Sequence, residues 1–140
     1  MSGVAELLIV LRNEITQIDT MAEAVDDFCT QNGLPAKAAF NLNLVLEEVV
    51  VNVINYAFPG GASEPIYVRI RLEDAIISAE VRDTGVAFDP LVAGPPDMAL
   101  DLEKRVVGGL GVHFLKTLMD DVSYRRHEGQ NYLRFSKQLF

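Results

Sequence analysis

The chain has one cysteine, no cluster of lysine and arginine, no low-complexity tract and no internal repeat. A lone thiol forms neither an internal disulfide nor a cysteine metal centre, which fits a reducing compartment; Cys29 reads as a small buried hydrophobe. Twelve basic side chains stand against twenty acidic ones, a net charge of −8. With no basic patch to track a phosphate backbone, direct nucleic-acid binding is not expected. The N-terminal run MSGVAELLIVLRNE has no basic segment ahead of its short apolar stretch, and no stretch approaches the roughly 20 residues of a membrane span. A cytoplasmic protein without a membrane partner is the expectation. What the chain does have is core material: 49% of its 140 residues are hydrophobic, enough for a single domain over 1–140.

Periodicity orders the elements. Residues 4–14 read as a strand, after which Thr16 or Asp19 caps a helix whose apolar residues recur from Ile18 to Asn32 at spacings of three and four; Asn32-Gly33 stops it. Pro35 leads a second helix that includes Asn41 to Phe58. Its Val49, Val50, Val51, Val53 and Ile54 would also suit a buried strand, but the segment is long for one. Pro65 to Leu72 alternates as a strand, Glu73-Asp74 turns it, and Ala75 to Arg82 returns antiparallel. Leu91 to Val107 is a long loop of the kind that serves as a lid. Gly108 to Met119 reads as a third helix, and strands at Val122 to Arg126 and Tyr132 to Leu139 flank a turn at 127–130.

Three elements carry chemistry. At about 100° per residue, Asn41, Glu48, Asn52 and Asn55 share a sector about 60° wide on an otherwise apolar helix. Such a stripe is either a solvated edge or a set of oxygen ligands for a hard cation, with Glu48 able to polarise a hydroxyl. In VRDTGVAFDP, Asp83 ends a strand, where a carboxylate can read an exocyclic amine, and Gly85 lets backbone approach a flat ring; an ordinary turn has the same form. Gly108, Gly109, Leu110 and Gly111 precede a helix and offer unhindered N–H groups to phosphate. Val112-His113 follow, so this is not a Walker loop.

In this order, the three elements resemble the GHKL ATP-binding fold shared by gyrase, Hsp90, histidine kinases and MutL, and most closely its anti-sigma-factor serine kinases. Glu48 to Asn52 matches the N box, Asp83-Thr84-Gly85 with Phe88-Asp89-Pro90 the G1 box, and Gly109-Leu110-Gly111 the G2 box. The resemblance implies an α+β fold: a two-layer α/β sandwich of Bergerat type, its mixed, mostly antiparallel sheet covered on one face by about three helices. It implies ATP and Mg²⁺ as cofactors, Glu48 as general base, Asn52 as the magnesium holder, and Asp83 on the adenine amine. Asn55, Gly85, Gly108, Gly109, Leu110 and Gly111 join the nucleotide site, with 91–107 as the lid. Asn131 stands where relatives often place an adenine-site threonine. The implied function is phosphorylation of a STAS-type anti-anti-sigma protein, with a sigma factor and a second copy of the chain as further possible partners. The alternative is a nucleotide-gated binding module that transfers no phosphate.

Overall fold

The computed structural model describes residues 3–59, 64–91 and 114–139. Its elements run β1 (Ala5–Arg12), α1 (Gln17–Gln31), α2 (Ala36–Tyr56), β2 (Pro65–Glu73), β3 (Ile76–Asp83), β4 (Asp121–His127) and β5 (Gln130–Gln138). Residues 114–118 are also helical. The strands form one sheet in the order β1-β2-β3-β5-β4. Among the described residues every pairing is antiparallel, in keeping with the mostly antiparallel sheet expected.

Alternation builds one dry face. Ile66, Val68 and Ile70 of β2 are fully buried, as are Val81 of β3 and Phe135 of β5. The intervening side chains Tyr67, Arg69, Arg82 and Arg134 fall on the opposite face, as a strand's period of two requires. The helices cover the dry face. Met21, Val25, Phe28 and Cys29 of α1 meet Val45, Leu46, Val49 and Val50 of α2 in the same core. Each such side chain contributes about 1.5–3 kcal/mol on burial. Burial also pushes the Cys29 thiol up to about 11, as expected of an inert core cysteine.

Local chemistry moves several expected boundaries. Glu14 N–H donates to the Arg12 carbonyl at 2.7 Å, ending β1 two residues early. Thr16 stands at the N-cap of α1 but makes no side-chain cap bond, while Asn32 closes the helix through its amide on the Phe28 carbonyl at 2.8 Å. The first hairpin turns at Asp74 and Ala75, one residue later than expected, because Glu73 stays paired with Ile76. Both turn residues have positive φ, 53° and 63°, the backbone of a two-residue hairpin loop.

One exclusion needs correcting. At 21 residues, with a mean hydropathy of 1.2 in its most apolar window, α2 is long and apolar enough to cross a membrane by length and composition alone. Its apolar side is instead spent on the core, where Val45, Leu46 and Val50 are 0% exposed. Gly108 to Gly111, residues 92–107 of the expected lid, and the start of the third helix lie outside the described residues.

Candidate active site

Helix α2 crosses the dry face beside the ends of β3 and β5 and leaves a cleft of about 440 Å³, its open mouth included. Val49, Val53, Val81, Leu115 and Leu133 make its walls apolar, and Asn52, Asp83 and Asn131 are its buried polar members. Phe88 and Pro90, from the segment after β3, close one side. Phe88 stacks on Tyr56 of α2, with ring centroids 5.6 Å apart.

Asn52 is 5% exposed, lines the cleft and makes no side-chain hydrogen bond to the described residues. Glu48 lies one turn earlier, about 6 Å along the axis at 1.5 Å per residue. It is half-buried. Burial and, secondarily, the adjacent Glu47 raise its pKa above the ordinary value; Glu47 itself is exposed, as its angle on the helix predicts. The rest of the stripe disperses. Asn55 is exposed and outside the cleft lining, because it sits on the solvent flank of the last turn. Asn41 lines a different depression with Lys37 and Lys137.

Asp83 ends β3 directly opposite Asn131 of β5. It is 3% exposed. Its Oδ1 accepts the Gly85 N–H at 2.8 Å and the Asn131 amide at 2.9 Å. Neither bond uses Oδ2. Burial raises the Asp83 pKa, and the Asn131 amide, the Gly85 N–H and the Arg126 charge offset part of that rise.

Gly85 has a reason the sequence did not supply. A Cβ there would lie 2.3 Å from the Ala57 carbonyl oxygen and 2.5 Å from the Ala57 Cβ, so the close approach is to the end of α2. That contact lets Val86 N–H donate to the Ala57 carbonyl at 2.8 Å, which satisfies a helix-terminal acceptor and seats the loop. Arg126 and Tyr124 of β4 also reach the site, and neither stood out in the sequence. The signal was available. Alternation along β4 puts both on the inner face, and the tight turn after His127 pairs Arg126 with Asn131.

A family model described as a histidine kinase-like ATPase domain matches residues 11–137. Among curated relatives, the serine/threonine-protein kinase BtrW of Bordetella bronchiseptica is 32% identical over 98 residues, covering 70% of this chain and 69% of the relative. The serine-protein kinase RsbW of Listeria monocytogenes is 29% identical over 110 residues, covering 76% and 70%. In a crystal structure of RsbU and RsbW domains from Mycobacterium tuberculosis, the similar region superposes with a TM-score of 0.70 at 16% identity. That match covers 96% of this chain and 32% of the solved one, so this chain spans about a third of it. A blue-light activated histidine kinase of Erythrobacter litoralis gives a TM-score of 0.57 at 18% identity, covering 76% and 32%.

Proposed function

Because the chain belongs to the histidine kinase-like ATPase family, we propose that it is an ATP- and Mg²⁺-dependent protein serine/threonine kinase acting as an anti-sigma-type regulator. Its substrate in this reading is a STAS-type antagonist protein in the cytoplasm. A sigma factor and a second copy of the chain are further partners. The observation that carries the reading is that Asn52 and Asp83, both nearly fully buried, converge on one apolar cleft, with Glu48 one turn along the same helix.

The residues present fit the nucleotide and its metal. Asp83 offers an ionisable acceptor to an exocyclic amine, and the valines and leucines of the cleft flank a flat base. The Asn52 carboxamide, which no described side chain engages, carries an oxygen suited to Mg²⁺. No group of three or more His, Cys, Asp or Glu gathers among the described residues; most ligands would then be phosphate and water oxygens, as is usual for this ion. Bound there, Mg²⁺ supplies charge neutralisation at the phosphates. Glu48 would take the proton of an attacking serine hydroxyl as its oxygen bonds to the transferred phosphoryl group and ADP leaves.

The raised Glu48 pKa gives an expected pH dependence. Its basic form is present above the folded-state value and lost as pH falls through it, so the acid limb of transfer lies above the 4.5 of an unperturbed Glu. Glu47→Gln removes the smaller cause of the rise and moves that limb down, without returning it to 4.5. A pH–rate profile of both proteins checks this.

The functional test is capture from the native cell extract with Mg·ATP and, separately, Mg·ADP, followed by mass spectrometry of the captured proteins. Phosphoserine on a small partner with ATP alone is the expected result. No phosphoserine, with the ATP site shown to be occupied, would remove the kinase reading and leave the nucleotide-gated binder.

A further inference from the structure

The resemblance places Asn131 among the nucleotide contacts, yet its side chain is already spent inside the protein. Its amide donates to Asp83 Oδ1 at 2.9 Å and to the Val86 carbonyl at 2.8 Å. Its oxygen accepts from the Tyr124 hydroxyl, from Arg126 Nη1 at 3.1 Å and from Phe88 N–H at 3.4 Å. A carboxamide has two donors and two acceptor lone pairs, so no capacity remains for a ligand. Arg126 Nη1 also donates to the Gly85 carbonyl at 2.7 Å. The two strands β4 and β5 therefore grip the 85–88 segment at Gly85, Val86 and Phe88, and the same amide occupies one oxygen of Asp83.

We infer that Arg126 and Asn131 are positioning residues for base selection: both pin the segment after β3, and the Asn131 amide with the Gly85 N–H saturates Asp83 Oδ1, so that Oδ2 is the acceptor left for an amino group on the ligand's base. The inference rests on the proposed nucleotide reading. An ionised carboxylate oxygen accepts from an amine but finds no donor on a carbonyl. A base with oxygen at that place is therefore rejected, provided the carboxylate cannot rotate. Asn131 stops the rotation by holding Oδ1, and Arg126 holds Asn131. Neither residue needs to touch the ligand.

Calorimetric titration of the full chain with Mg·ATP and with Mg·ITP, which carries oxygen where ATP carries the amine, tests this. Wild type is expected to prefer ATP by at least about tenfold. In Arg126→Gln and in Asn131→Asp, which puts an acceptor against Asp83, the preference falls to about threefold or less. That loss comes from weaker ATP binding, with ITP little changed. A purely structural role would weaken both nucleotides alike and keep the ratio. Hydrogen exchange without nucleotide is the second readout, and the Val86 and Phe88 amides are expected to exchange faster in Arg126→Gln. Should Asn131→Asp fail to fold, Arg126→Gln decides alone. An unchanged ATP/ITP ratio in folded variants would overturn the inference and leave the nucleotide reading standing. Wild type that bound neither nucleotide would overturn both.

Discussion

Glu48→Gln is expected to bind Mg·ATP almost as tightly as wild type while phosphoryl transfer to serine falls by about two to four orders of magnitude. Gln keeps the shape and one oxygen of the side chain but cannot take a proton. Stability gives a built-in control. The Glu48 pKa is raised in the fold, so its favourable contribution is complete below the unfolded value near 4.5 and is lost as pH rises through the folded value. A neutral replacement is therefore expected to melt no lower than wild type at pH 7, which a thermal melt checks before any loss of transfer is ascribed to chemistry. Asn52→Ala should behave differently, because it removes the buried carboxamide that faces the cleft: magnesium-dependent binding itself should weaken. Single-turnover kinetics beside calorimetry separate the two. Equal loss of binding and transfer in Glu48→Gln would refute its role as a base.

Asp83→Asn should abolish selective ATP binding at a cost of about 2 kcal/mol or more, roughly thirtyfold in affinity. The variant keeps an oxygen for Gly85 N–H and the Asn131 amide, but it turns an amide donor toward the base's own amine. Burial is the main cause of the raised Asp83 pKa, so here too the charged form disfavours folding at neutral pH. Asp83→Asn should accordingly melt no lower than wild type at pH 7, with any advantage shrinking as pH falls through the folded pKa. Calorimetry and a thermal melt at two pH values decide the point. Unchanged ATP affinity would mean that Asp83 does not read the base.

Much of this was legible in the sequence, and the failures have physical causes. Alternation gave β2 and β3 because each has one dry face: Ile66, Val68 and Ile70 are buried while Arg69 is exposed. The spacing from Glu48 to Asn52 is one helical turn, so their relation survives any error in the helix ends. Asn55 was misplaced because helical angle locates a residue on the cylinder without saying where the covering sheet stops. The Asp74-Ala75 turn was missed because Ala seldom takes the left-handed backbone that ladder register imposes here. The motif at Gly85 was visible, but its cause was not: only the fold brings Ala57 within 2.3 Å of a would-be Cβ. Asn131 belongs to that same class, whereas Arg126 was passed over although the β4–β5 hairpin pairs the two. Their contacts to Asp83 and the 85–88 segment come from elsewhere in the chain, so only the fold shows them.

The central claim is that the cleft between α2 and the ends of β3 and β5 is the nucleotide site. Backbone amide shifts of the isotope-labelled chain, titrated with Mg²⁺ and a non-hydrolysable ATP analogue, test it most directly. The account predicts saturable shifts largest at Asn52, Gly85, Val86 and Phe88, with Arg69 and Arg134 on the far face of the sheet unmoved. Shifts centred instead on the depression bounded by Lys37, Asn41 and Lys137, or none at saturating nucleotide, would contradict it.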